Sequence, residues 1–139
     1  MPPVSATSKP PSFIIPDFFS YCKLELHTNR NHRLATVESE RWILDGDPDF
    51  DEATRRSFLG LKAGKFASMA YSGAGYPQLR ACSDFLNWFF HLDNLSDDMD
   101  DRAIDNIANV VMSSLHHPNT YCVPVRLNRM TKEFVFPHL

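Results

Sequence analysis

The sequence has few cysteines, and their spacing matches no common cysteine site. Cys22, Cys82 and Cys122 are odd in number and far apart, and no CxxC pair occurs. Zinc and redox sites usually carry cysteines at such short spacings, so the sequence indicates neither kind of site. Reduced thiols, as in the cytosol, are the simplest interpretation, and we expect a cytoplasmic protein.

A basic patch and a long apolar run are also missing. The 14 lysines and arginines are scattered among 17 acidic residues, and the formal net charge is -3. A nucleic-acid partner is therefore not expected, because its phosphates would require clustered positive charge. No window approaches the run of about 18 apolar residues that a membrane span needs. The first residues also lack the charged lead and apolar core of a signal peptide, so we expect a soluble protein.

What the sequence does contain is repeated helical spacing. Four of the first eleven residues are proline, and with serine and threonine they predict a flexible tail over residues 1–12. Residues 13–139 suffice for one folded domain, since 43% of the chain is hydrophobic. No internal repeat and no sustained strand alternation occurs, so the predicted fold class is all-α.

Five helices are predicted from the apolar spacing and from the glycines and prolines that interrupt it. They are expected over about residues 29–44, 52–71, 77–97, 102–116 and 125–136. Pro77 suits the first turn of the third helix, where its missing N–H costs no hydrogen bond. Gly60 and Gly64 form a GxxxG pair on the second, which in a soluble protein favours close approach of another helix.

The third predicted helix runs from the most apolar segment of the chain into the most acidic one. Residues 88–101 read WFFHLDNLSDDMDD, with five aspartates in nine residues. Positions three or four apart on this helix form one row: Leu79, Cys82, Leu86, Phe89, Asp93 and Asp97. The acids therefore prolong an apolar stripe. Buried carboxylates need a positive partner, because desolvation disfavours their charged form.

A hard divalent cation is one such partner. Mg²⁺ prefers oxygen ligands and is typically held by one or two carboxylates together with substrate phosphates. Asp93 and Asp97 are one turn apart, and Asn94 adds an amide oxygen. In the alternative interpretation, the helix ends near Leu92 and residues 93–101 form a solvated loop that caps the next helix. The spacing alone does not choose between them.

The same residues resemble the aspartate-rich motif of class I terpene synthases, particularly the fungal sesquiterpene synthases. In that family an aromatic-rich helix ends in Asp, then a variable Asp, Glu or Asn, two further residues and another Asp. Residues 93–97, DNLSD, follow this pattern. Other segments that resemble the family are RNH at 30–32, VESERW at 37–42, YP at 76–77 and VM at 111–112. The resemblance covers nearly all of residues 14–139.

The resemblance implies a helical bundle around a cavity, with Mg²⁺ binding the diphosphate of a prenyl substrate such as farnesyl diphosphate. It makes Asp93 the catalytic residue and principal magnesium ligand, with Asn94 and Asp97 as further ligands. It also implies a lyase reaction, in which departure of the diphosphate leaves a carbocation that cyclises.

Such a cation needs a dry cavity with aromatic walls. Phe89 and Phe90, three and four residues before Asp93, are the expected wall residues, and Phe66 on the neighbouring helix is a weaker candidate. Plain core packing is the alternative for each of the three phenylalanines.

The chain lacks several motifs of the family. The family's second metal-binding set, an Asn or Asp, a Ser or Thr and a Glu on a later helix, has no counterpart here, and neither do its diphosphate-sensing arginine and Arg-Tyr pair. The sequence thus resembles the N-terminal part of the family's domain. We expect these residues alone to bind Mg²⁺ weakly and not to turn over substrate. The alternative function is a catalytically inactive remnant or a helical partner-binding module.

Overall fold

The computed structural model describes residues 12–45, 50–97 and 99–135. These residues form seven helical segments and no strand, which confirms the all-α prediction. The helices are α1 Phe18–Tyr21, α2 His32–Asp45, α3 Glu52–Gly60, α4 Ala63–Ala70, α5 Tyr76–Ser96, α6 Asp101–His116 and α7 Arg126–Val135. Most of the predicted tail, residues 1–11, lies outside the described residues.

The second predicted helix is wrong in one respect, because residues 52–71 form two helices and not one. The break lies at Leu61 and Lys62, between α3 and α4. Lys62 has φ 55° and ψ 39°, in the left-handed region that glycine or asparagine usually occupies. A lysine carries no sequence signal for this conformation. The one-turn helix α1 was not predicted either.

The central element is α5, which packs against α2, α4 and α7, while α6 packs mainly on α7. The larger apolar core joins α2, α3, α5 and α7. It is formed by Ile43, Leu44, Phe58, Trp88 and Met130. A smaller cluster joins α2, α4 and α5 through Ala35, Ala67 and Leu79. The larger cluster holds one end of α5 in place and the smaller one holds the other.

Small side chains let α2 and α4 approach each other closely. A Cβ atom added to Gly64 would lie 2.5 Å from Thr36 Oγ1, well inside van der Waals contact. A Cβ atom added to Gly60 would meet nothing within 4 Å. The close approach predicted from the GxxxG pair is therefore confirmed for Gly64 and is not seen at Gly60.

Asn29 fixes the entry of the chain into α2. Its side chain is 1% exposed, and Nδ2 donates hydrogen bonds to the carbonyl oxygens of Tyr71 at 2.9 Å and Ala74 at 2.8 Å. Its backbone N–H donates to the Ser68 carbonyl at 3.0 Å. Asn29 thus ties the segment before α2 to the turn between α4 and α5.

None of the described helices is long and apolar enough to cross a membrane.

Candidate functional site

The inner face of α5 is joined to α2 by a polar network. Arg80 Nη1 lies 2.9 Å from Glu38 Oε2, and Arg80 Nε lies 2.8 Å from Asp84 Oδ1. The Tyr76 hydroxyl donates a hydrogen bond to the same Glu38 carboxylate. One turn beyond Asp84, Asn87 Nδ2 donates to Ser39 Oγ at 2.8 Å. These contacts lie along one side of α5 and fix its position against α2.

The pKa values of the two acids in this network are shifted in opposite directions. The hydrogen bond from Tyr76, reinforced by Arg80, holds the pKa of Glu38 below its ordinary value. Burial raises the pKa of Asp84, although Arg80 and Ser39 partly offset this effect. Both groups have protein partners, so the network is better explained as a structural link between helices than as a binding site for an external charge.

The outer face of α5 is apolar and open. Phe85 is exposed, as is Phe89, and their rings stack at a centroid distance of 6.1 Å. Phe134 from α7 packs edge-on against Phe85 at 5.9 Å. A groove of about 310 Å³ lies beside this ring pair. It is lined by Tyr71, Ala81, Cys82, Phe85, Leu86, Phe134 and Val135.

The aspartates predicted as ligands lie at the end of this outer face. Asp93 and Asn94 are in the last turn of α5, and Asp97 is its C-cap residue, whose N–H donates to the Asp93 carbonyl at 3.2 Å. The helix therefore continues past Leu92, and a loop beginning at residue 93 is ruled out. All three side chains are exposed.

The later acids cap the next helix, as the alternative interpretation expected of them. Asp100 precedes α6, and its Oδ1 accepts a hydrogen bond from the Ala103 N–H at 2.8 Å. Asp101 lies in the first turn of α6, where a negative charge is favourable. Asp98 lies outside the described residues. The acidic stretch is thus divided between the end of one helix and the start of the next.

The three predicted wall phenylalanines occupy different environments. Phe89 is 46% exposed on the outer face, one turn before Asp93, whereas Phe90 is partly buried and packs against the larger core. Phe66 is 53% exposed on α4 and does not line the groove. Sequence reasoning missed Phe85 and Phe134. Phe85 carried a usable signal, because it precedes Phe89 by one helical turn.

The ligand chemistry at the end of α5 fits Mg²⁺ in part. Asp93 and Asp97 are carboxylates without a hydrogen-bond or ion-pair partner among the described residues, and Asn94 adds a neutral oxygen. No group of three or more His, Cys, Asp or Glu side chains within the described ranges is arranged to hold a metal ion. The residues therefore suit a hydrated Mg²⁺ shared with a phosphate ligand and do not form an all-protein cage.

Comparison with known proteins gives close relatives along almost the whole chain. Sesquiterpene synthase Agr1 of Cyclocybe aegerita is 41% identical over 133 residues, which are 96% of this chain and 38% of the relative. Sesquiterpene synthase 2 of Postia placenta is 44% identical over 131 residues, 94% of this chain and 38% of the relative. Alpha-muurolene synthase of Coprinopsis cinerea is 34% identical over 118 residues, 85% of this chain and 28% of the relative.

The chain thus spans about two fifths or less of the length of these curated relatives. No family model matches it. The matched residues nevertheless include the whole of α5 and the acidic residues at its end.

Proposed function

This chain belongs to the fungal sesquiterpene synthase family, and from that premise we propose that it forms the aspartate-bearing wall of a sesquiterpene cyclase. The proposed reaction is the Mg²⁺-dependent ionisation of a prenyl diphosphate, such as farnesyl diphosphate, followed by cyclisation of the carbocation. The observation that carries the proposal is the outer face of α5, where an exposed aromatic row ends one turn before Asp93.

The proposed roles follow the order of residues along α5. Asp93 is the principal oxygen ligand, and Asn94 and Asp97 supply further oxygens at the same helix end. When bound there, Mg²⁺ would stabilise the negative charge that develops on the departing diphosphate. Phe89 would exclude water beside the reacting carbon and present its ring face to positive charge. Phe85 extends the apolar wall by one more turn, away from the acids.

A first test measures metal binding on the chain itself. We expect the chain to bind Mn²⁺, used as a paramagnetic substitute for Mg²⁺, in the presence of inorganic diphosphate. Asp93→Ala should weaken this binding by about tenfold or more, since even residues behind metal ligands have effects of that size. Electron paramagnetic resonance of free Mn²⁺ measures the change. Asp105→Ala is the control, because Asp105 is an exposed acid in the second turn of α6.

A second test measures catalysis in a chimera. This chain would replace the matching segment of sesquiterpene synthase 2 of Postia placenta, and products from farnesyl diphosphate would be identified by gas chromatography. We expect cyclised hydrocarbons, and a loss of about a hundredfold or more in turnover for Asp93→Ala, with circular dichroism unchanged. A folded chimera that is inactive with Asp93 in place, or equally active without it, would contradict the proposal.

A helical partner-binding module is the second candidate. Its support is the large number of exposed apolar side chains, since extended apolar patches usually mark interaction surfaces. The two functions differ in the Mn²⁺ experiment. A partner-binding module would show no diphosphate-dependent binding and no difference between Asp93→Ala and Asp105→Ala.

A further inference from the structure

A buried hydrogen bond joins α2 to α5 between the middle of α5 and its acidic end. Asn87 Nδ2 donates to Ser39 Oγ at 2.8 Å, and both side chains are almost fully buried. The Ser39 hydroxyl also donates to the Asp84 carboxylate. A buried polar group is costly when it loses its partner, so this arrangement opposes any movement of α5 that separates Asn87 from Ser39.

The same contacts fix the rotation of α5 about its own axis. Successive residues of an α-helix are about 100° apart, so a rotation by one residue position would carry Asn87 away from Ser39. It would also carry Arg80 away from Glu38, whose carboxylate lies 2.9 Å from Arg80 Nη1. Apolar burial alone would not select one rotation, because it is not directional.

The rotation of α5 determines the direction in which Asp93 points. Asp84 and Asp93 are separated by about two and a half helical turns and therefore lie on opposite sides of α5. Asp84 is accordingly buried against α2, whereas Asp93 is exposed. A metal ligand has to keep its direction to within about 10–20°. The contacts that hold Asp84 inward thus also hold Asp93 on the side of Phe89.

We propose that Asn87 and Ser39 are positioning residues for Asp93, because their hydrogen bond holds α5 in the rotation that directs Asp93 to the metal. Asn87 lies about 9 Å from Asp93 along the helix axis, so it acts through the helix and not by contact. The proposal rests on the proposed function for the role of Asp93. The rotation of α5, however, can be measured without any metal.

The chain offers a matched control for this hydrogen bond. Between α6 and α7, Asn128 Nδ2 donates to Ser114 Oγ at 2.7 Å, and both side chains are again buried. Asn87→Leu removes the donor of the first pair and keeps its branched shape, and Asn128→Leu makes the same change in the second. Ser39→Ala and Ser114→Ala remove the acceptors, so the test does not depend on whether leucine fits at position 87.

Double electron–electron resonance measures the rotation directly. Spin labels would be attached to Leu34→Cys on α2 and Leu95→Cys at the end of α5, two exposed positions, after the native cysteines are replaced by serine. In the metal-free chain, the Asn87 and Ser39 variants should shift or broaden the distance distribution by about 2 Å. A rotation of about 20° moves a group about 5–6 Å from the helix axis by that amount. The two α6–α7 controls should leave the distribution unchanged.

Mn²⁺ binding then tests whether this rotation matters for the ligand. On unlabelled chains with inorganic diphosphate, Asn87→Leu should weaken Mn²⁺ binding by about threefold or more, as substitutions without ligand contact can. Asn128→Leu should leave it unchanged. A merely structural role would lower the urea midpoint of both variants without separating their Mn²⁺ affinities.

The outcomes separate the two proposals. A shifted distance distribution together with weaker Mn²⁺ binding in the Asn87 and Ser39 variants supports the positioning role. An unchanged distribution would overturn it, and so would a shifted distribution with native Mn²⁺ affinity. If the native chain binds no Mn²⁺, the proposed function fails, and the label distance alone then decides whether the pair sets the rotation of α5.

Discussion

On α5, the face that packs against α2 is rich in polar side chains, whereas the open face carries aromatic rings. Ser83, Asp84 and Asn87 are buried, while Phe85 and Phe89 are about half exposed. Globular helices usually show the opposite distribution. The comparison indicates that the inner face is held by specific hydrogen bonds and that the outer face is shaped for an apolar contact still to be made.

The two faces of α5 should also differ in how much they contribute to the free energy of unfolding. Burial of apolar area stabilises a contact between helices without fixing their register. A hydrogen-bonded ion pair stabilises the contact in one arrangement only, because any other arrangement leaves buried polar groups unpaired. The inner face therefore determines where α5 lies, and the larger core around Trp88 supplies much of the stabilisation. The outer face should contribute little to folding.

Neighbouring substitutions on the two faces test this comparison with the largest expected effect. Trp88→Ala should lower the free energy of unfolding by about 3–5 kcal/mol, because Trp88 is 5% exposed and belongs to the larger core. Phe89→Ala, one residue along, should cost about 1 kcal/mol or less. Urea unfolding followed by circular dichroism measures both. Equal losses would show that the two faces are energetically alike.

Close packing of α2 and α4 gives an intermediate effect. Gly64→Ala should lower the free energy of unfolding by about 1–3 kcal/mol, because the new Cβ would lie 2.5 Å from Thr36 Oγ1. Adding Thr36→Ala should recover part of that loss. Gly60→Ala is the matched control, since its Cβ meets open space, and it should stabilise the protein by up to about 1 kcal/mol. A Gly64→Ala variant as stable as the control would contradict this account of the contact.

The smallest effect is expected from the charge of Glu38, and it depends on pH. Since the folded-state pKa of Glu38 lies below its ordinary value of 4.5, its carboxylate stabilises the fold above that pH. The contribution is lost as the pH falls through the lower folded-state pKa. Glu38→Gln should therefore be less stable than the native chain at neutral pH and equal to it in acid.

Urea unfolding across this pH range measures the difference. Glu52→Gln on α3 serves as the control, because Glu52 is exposed and its ion pair is with Arg56 on its own helix. A Glu38→Gln difference that persists unchanged in acid would show that the charge of Glu38 is not responsible.

Much of the fold could be predicted from the helical spacing of apolar residues and from the residues that interrupt it. The helix α6 was predicted to within one residue at its start, because its apolar stripe is regular and its end coincides with His117 and Pro118. Prediction failed at Lys62, whose left-handed backbone conformation ends one helix and begins the next, because lysine carries no sequence signal for that conformation. It also missed α1, since a four-residue helix has too few positions to show a period.

The candidate site was predictable in position and less so in environment. The family motif placed Asp93 at the end of the aromatic helix, and the structure has it there. Its role as a ligand, like those of Asn94 and Asp97, stays a prediction. Helical spacing could not decide between Phe89 and Phe90, because both lie three or four residues before Asp93. The structure separates them, since Phe90 packs against the larger core whereas Phe89 is exposed.

The Glu38–Arg80–Asp84 network has a consequence for distances along the α5 axis. Sliding α5 by one turn, about 5.4 Å, would separate Arg80 from Glu38 and Asn87 from Ser39 at the same time. The contacts of Arg80 and Asn87 therefore fix the position of α5 along its own axis. The position of its acidic end relative to α2 is set by side chains that lie two to four turns away.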